Sequence, residues 1–234
     1  MDHVSHSSLR SGPQRVLEVI GPAGAGKTTL LLALEQRNPA VEAGIAISKW
    51  RQFPYVVSNS ATLLRPFLLE YRRTKWFTRR EARSMAYLRA WLDVLERRVT
   101  SGEGGVIVLD HGPLYRLAML REFGPSVTQS ESFRRWWATL FAQWATTLDA
   151  LIWLDAPNQV LLARIRSRDD RHSIKEEDDR EAHDFLDRHR AALERIVAQG
   201  VDQHRLTALR FDTGTEDVDE IAVDVLRTLE DAAK

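Results

Sequence analysis

Gly21-Pro22-Ala23-Gly24-Ala25-Gly26-Lys27-Thr28 fills every fixed position of the spacing G-x-x-x-x-G-K-[ST]. Each residue type in that run has a chemical use. Glycines let the backbone curl until successive N–H groups face a common centre, where a phosphate fits. A helix starting at the end of the loop adds the partial positive charge of its N-terminus. Lys27 reaches the β- and γ-phosphates of a bound triphosphate, and the Thr28 hydroxyl is placed to ligate Mg2+. Gly21, Ala23, Gly24, Ala25 and Gly26, with Thr29 beside Thr28, complete the expected nucleotide-binding set. The alternative is a glycine-rich turn that binds nothing; the complete motif, with a strand before it and a helix after, weighs against that.

Phosphoryl transfer also needs a group that holds a metal-bound water or takes the acceptor's proton. Asp110 closes the apolar run Val106 to Leu109, and the carboxyl end of a strand faces the ligand crevice of an open α/β sheet. Asp110 is thus the candidate catalytic and metal-site carboxylate; the alternative is a cap on the helix that begins near Pro113. Asp155 sits in the same position after the next strand, but Ala156-Pro157 behind it reads as a turn and cap. Leu161 to His172 (LLARIRSRDDRH) carries Arg164, Arg166, Arg168 and Arg171. On a helix Arg164 and Arg168 share a face and can fork onto phosphate oxygens. Otherwise they form a solvated face paired with Asp169, Asp170 and Glu176 to Asp179.

The elements that must position these residues are legible from apolar periodicity. Val16 to Ile20, Val41 to Ile47 (weakened by Gly44), Val106 to Leu109, Leu151 to Leu154 and Ala208 to Phe211 read as strands. Thr28 to Arg37, Leu63 to Val99 (broken around Thr74 to Thr78), Ser132 to Thr147, Gln159 to Arg168, Glu181 to Gln199 and Val218 to Leu229 read as helices. Strands that are apolar on both faces, alternating with helices, predict an α/β fold with a buried parallel sheet. No repeat or linker divides the chain. One domain from 15 to 234 is expected behind a disordered polar tail of residues 1–14.

Composition narrows the function classes. With 33 basic and 33 acidic residues among 234, the chain has no charge surplus for nucleic acid or an anionic membrane. No run approaches the ~20 apolar residues that span a bilayer, and residues 1–14 contain no signal-peptide core. The absence of cysteine excludes disulfides, thiolate nucleophiles and cysteine-based metal sites, and fits a cytoplasmic location. Trp136, Trp137, Trp144 and Trp153 read as core rather than as base-stacking residues. Lys49, Trp50, Arg51 and Phe53 follow the second strand, where an acceptor pocket should open. His183 and Asp187 lie one helical turn apart, but two ligands make no metal site.

In order, the phosphate loop, Asp110, LIWLDAP, the arginine-rich segment and the closing strand with Asp212-Thr213 resemble the thymidylate kinase-like branch of P-loop nucleoside and nucleotide kinases. The likeness runs from Val16 to Leu229, and only the phosphate loop is specific. It implies a three-layer α/β/α P-loop NTPase fold with a parallel sheet of about five strands and a helical lid spanning about 164–180. It also implies ATP and Mg2+, and a small-molecule phosphate acceptor; homodimers are common among such kinases. Arg164 and Arg168 would be catalytic lid residues, and Thr213 and Gly214 would line the adenine. One departure concerns the acceptor. Thymidylate kinases usually carry an arginine after the strand-end aspartate, whereas His111-Gly112 follows Asp110 here. Histidine is no permanent cation at neutral pH, so a neutral hydroxyl acceptor is expected ahead of a nucleoside monophosphate. The competing class is an NTPase switch, but the chain has no N-K-x-D base-reading string and no LSGGQ-like signature.

Overall fold

The computed structural model describes residues 14–44, 54–55, 57–58, 77–101, 104–168 and 174–231. The expected tail to residue 13, the pocket residues Lys49, Trp50, Arg51 and Phe53, and Arg171 lie outside that set. So do positions 45–47 of the expected second strand and 63–76 of the expected helix.

Five strands, β1 (Arg15–Ile20), β2 (Val41–Ala43), β3 (Val106–Asp110), β4 (Ala150–Asp155) and β5 (Thr207–Asp212), pair in the order β2-β3-β1-β4-β5. Every pairing is parallel. Seven α-helices with full bounds lie among the described residues: α1 (Lys27–Arg37), α2 (Arg79–Ser101), α3 (Pro113–Phe123), α4 (Glu131–Thr147), α5 (Asn158–Ser167), α6 (Asp179–His204) and, after the last strand, α7 (Val218–Asp231). The five-stranded parallel α/β fold expected from the pattern is the one observed. Among the described residues, no helix is long and apolar enough to cross a membrane.

Period-two alternation divides the strand side chains between two cores, one on each face of the sheet. Val16 and Ile20 of β1, Ile107 and Leu109 of β3, and Leu151 and Trp153 of β4 pack with α2, α3 and α4. Leu17 and Val19, Val106 and Val108, and Ile152 and Leu154 pack on the opposite face, with α1, α5 and α7. The 26-residue α6 serves both layers, Ala182 and Leu186 in one core and Leu193, Ile196 and Val197 in the other. The same alternation puts Glu18, fully buried, between Val16 and Ile20 on the face of α2–α4.

Helix starts follow local chemistry. The break expected around Thr74 to Thr78 is resolved at its end by a capping box: Glu81 accepts from the Thr78 amide at 2.6 Å, and its own amide donates to Thr78 Oγ1 at 3.3 Å. Ser130 caps α4 by accepting from Phe133 N, and Asp178 caps α6 by accepting from Glu181 N.

The tryptophan stripe is core, as its spacing predicts. Trp136, Trp137, Trp144 and Trp153 are all buried. Trp144 has no exposed surface, donates Nε1–H to Leu88 O at 2.9 Å and meets Trp91 edge-on. Trp144→Ala should therefore cost about 3–5 kcal/mol of unfolding free energy in urea titration. A loss below about 1 kcal/mol would mean that α4 does not anchor this layer.

Candidate functional site

The site is assembled where β1 and β3 end side by side. The register sets Val19 beside Asp110 and Ile20 of β1 beside Trp153 of β4. Past Ile20 the backbone turns so close to β4 that a Cβ on Gly21 would lie 2.0 Å from the Leu154 carbonyl oxygen. Only glycine fits there. Gly26, at φ 85°, forms the N-cap of α1 with no side-chain cap, so no side chain covers the first amides of that helix. Thr28 and Thr29 are exposed on its first turn.

Lys27 folds back over its own loop. Its Nζ donates to the carbonyl oxygens of Gly21 at 3.0 Å and Pro22 at 2.8 Å. Burial pushes its pKa down to about 8; Asp110 opposes that shift and the nearby charge of Arg168 adds to it. Asp110 is half-buried. Burial alone would raise its pKa, but His111 and Lys27 overcome that and hold it below the usual carboxylate range. His111 Nδ1 stands 3.1 Å from Asp110 Oδ1, an ion-pair distance without hydrogen-bond alignment. Asp110 Oδ1 is therefore buried with no hydrogen-bond donor among the described residues.

The turn after Asp110 is unusual. His111 adopts φ 48°, a left-handed conformation uncommon for residues other than glycine, and its ring packs edge-on against Tyr115 at 4.5 Å. Gly112 is the N-cap of α3 and supplies no cap. Glu18 supplies it from β1: its two oxygens accept from Leu114 N and Tyr115 N, both at 2.8 Å. The alternative reading of Asp110, as the cap of this helix, is thus filled by a different carboxylate. Sequence reasoning missed Glu18; the only available signal was a lone acid inside the apolar run VLEVI.

α5 ends at Ser167, one residue short of the expected Arg168, which forms its C-cap at φ −80°, ψ 149°. Ile165 is the last core residue before a polar run, so further helix would bury nothing. Arg164 turns toward the phosphate loop, donating to Gly24 O at 3.3 Å, Thr213 Oγ1 at 3.0 Å and Thr213 O at 2.7 Å. Arg166 pairs with Asp179, as a solvated face would. Arg168 is exposed yet close enough to lower the Lys27 pKa. Thr213 is held by Asp155 O through both its amide (2.8 Å) and its hydroxyl (3.1 Å), and Gly214 N donates to Asp212 Oδ1 at 2.8 Å. Asp155 itself is a turn residue: it accepts from Ala156 N and takes both Nε and Nη2 of Arg190. Arg190 was not singled out from the sequence, since nothing local to α6 links it to β4. Asp187 binds Asn158 and Arg190, and no cluster of three metal-ligating side chains occurs among the described residues.

A cavity of about 650 Å3 opens beside this turn. Its wall includes Arg80 and Ser84 of α2, His111, Tyr115 and Arg116 of the turn and α3, and Phe185 of α6. Arg116 is already engaged: it lies over the Tyr87 and Trp91 rings, donates to Ser84 Oγ at 3.2 Å and faces Glu18 electrostatically.

A profile of the AAA domain family matches residues 17–186, and the chain belongs to that family. Its fold is that of P-loop kinases. Deoxyadenosine kinase from M. mycoides with bound dCTP superposes at TM-score 0.54 with 14% identity, covering 92% of this chain and 99% of that one. With dATP bound the same kinase gives TM-score 0.55 and 15% identity over 92% and 98% of the two chains. Thymidylate kinase from Candida albicans gives TM-score 0.55 and 13% identity over 95% of this chain and 93% of its own. No curated protein sequence matches.

Burial raises the pKa of Glu18 to about 8, against the two amides and Arg116, with Asp110 adding to the rise. The folded state then holds this proton more tightly than the unfolded chain. Its stabilising contribution is complete below pH 4.5, the ordinary value, and is lost as pH rises to about 8. Over that window the unfolding free energy should fall by up to ~1.4 kcal/mol per pH unit from this group, and Glu18→Gln should flatten the slope. Denaturant titrations across the window check this; an unchanged slope in Glu18→Gln would refute it.

Proposed function

We propose that the protein is an ATP- and Mg2+-dependent kinase that transfers the γ-phosphoryl group of ATP to a hydroxyl on a small, neutral acceptor. The observation that carries this reading is the electrostatic coupling of Lys27 and Asp110 beside the phosphate loop. Lys27 is held on two loop carbonyls it can leave, and Asp110 offers a buried oxygen without a donor.

The bare Asp110 oxygen and the exposed Thr28 hydroxyl suit Mg2+, which is held through oxygen ligands and keeps several waters. Thr28 would ligate the ion and Asp110 Oδ1 would hold one of its waters; when bound, the ion neutralises charge on the β- and γ-phosphate oxygens. Lys27 moves from Gly21 O and Pro22 O to those oxygens, and the anion restores its pKa toward the usual lysine range. Amides of Gly24, Gly26, Lys27, Thr28 and Thr29 would cradle the β-phosphate. Arg164 ties the loop at Gly24 to Thr213, next to which the adenine would lie along Gly214. Arg168, exposed and close enough to act on Lys27, would approach the γ-phosphate.

The acceptor enters the cavity beside His111 and Tyr115. Its hydroxyl proton passes to Asp110 as its oxygen bonds to the γ-phosphorus, and the bond from that phosphorus to the β–γ bridging oxygen breaks to leave ADP. Arg116 lies over two rings and donates to Ser84, and His111 is no permanent cation, which supports a neutral acceptor; a nucleoside monophosphate would instead use Arg80 and the Nε of Arg116, unpaired among the described residues, on the same wall.

ATP consumption measured with a panel of hydroxyl compounds tests the reading. The wild type should be nearly silent until the acceptor is added. Lys27→Ala should then lose at least ~100-fold in turnover, since such electrostatic groups are worth ~2.7–4 kcal/mol. Asp110→Asn should bind ATP nearly normally and lose at least ~10²-fold. Hydrolysis independent of the panel would indicate an NTPase switch, and a nucleoside monophosphate as the best acceptor would indicate an ordinary nucleotide kinase.

A further inference from the structure

Gly112 has φ −72° and ψ −156°, a backbone conformation that any residue adopts. Glycine is nonetheless required there for space, because a Cβ would lie 2.8 Å from Glu18 Cδ and 3.0 Å from its Cγ. The missing side chain lets a carboxylate from β1 reach the amides of α3 that a cap at position 112 would otherwise satisfy. The two residues, far apart in sequence, act as one device. It spans the two strands whose ends carry the phosphate loop and Asp110. Between that device and Asp110 stands only His111, in its left-handed conformation. A strained turn persists where its surroundings hold it on both sides. Here β3 holds one side, and the amides that Glu18 fixes hold the other.

We propose that Glu18 is a positioning residue for phosphoryl transfer: by capping α3 from within the sheet it fixes the His111–Gly112 turn and so aims Asp110 at the metal side of the phosphate loop. This inference rests on the reading of Asp110 given above. Arg116, one turn along α3, balances the buried carboxylate and joins the device to the acceptor cavity. Glu18 directs its hydrogen bonds to α3 and not to the β1–α1 loop. Its loss should therefore spare metal-free nucleotide binding and damage the part of binding that Mg2+ adds.

The test uses a non-hydrolysable ATP analogue titrated into the intact protein, once in Mg2+ and once in EDTA, with thermal melting to confirm folding. Wild type should bind more tightly in Mg2+, and Asp110→Asn should remove most of that gain. The titrations are run at pH 9, where Glu18 is ionised and both its oxygens accept, so that Glu18→Gln turns one of the two acceptors into a donor facing an amide; Gly112→Ala displaces the carboxylate without removing it. Both should lose at least about tenfold of the Mg2+-dependent gain, the size of effect seen when groups supporting a metal site are changed. Their affinity in EDTA should stay within about twofold of wild type, because the metal-free contacts are unaltered. If Glu18→Gln fails to fold, Gly112→Ala carries the test. A folded variant with the wild-type gain, beside an Asp110→Asn that has lost it, overturns the role of Glu18 alone. An Asp110→Asn that keeps the gain overturns the assignment of Asp110, and this inference with it.

Discussion

Parallel pairing of β1 with β3 on one side and β4 on the other governs the chemistry of this protein. The register brings the ends of three strands level, so that Gly21, Asp110 and Asp155 emerge along one edge of the sheet. That edge collects the amides of the phosphate loop, the ammonium of Lys27 and the carboxylate of Asp110 within electrostatic reach of one another. A slip of one residue in β1 would exchange Glu18 with its apolar neighbours and put a carboxylate into the other core. Residues buried on both sides of the sheet oppose such a slip.

Burying charge is costly unless it is paired, and three ionisable groups are partly or wholly buried around this edge. Each has found a compromise with the protein. Lys27 rests on loop carbonyls, Glu18 on helix amides, and Asp110 on the edge of an imidazole. Of these, Glu18 is fully served by the protein. Lys27 and Asp110 are not: the first lies on carbonyls that a phosphate can replace, and the second keeps an oxygen without a donor. The contrast between a satisfied carboxylate and an unsatisfied one separates scaffold from site.

The strands and helices were legible because each carries its apolar residues at one period, and the phosphate loop because its glycines and lysine act within one local turn. Boundaries set by caps, such as Thr78 with Glu81, were also local. What escaped the sequence depends on contacts between distant segments. Glu18 reads as a flaw in an apolar strand until α3 is packed above it, and Arg190 reads as one more helical arginine until α6 crosses the end of β4. The end of α5 was legible to within one residue, because the core residues of that helix stop at Ile165.

A crystal structure of the protein with ADP and Mg2+ tests the central claim most directly. The expected result is a β-phosphate seated in the loop from Gly21 to Thr28, with Lys27 Nζ moved from the Gly21 and Pro22 carbonyls onto phosphate oxygen. Asp110 Oδ1 would hold a water on the ion. ADP bound elsewhere, with Lys27 still on its own loop, would contradict it.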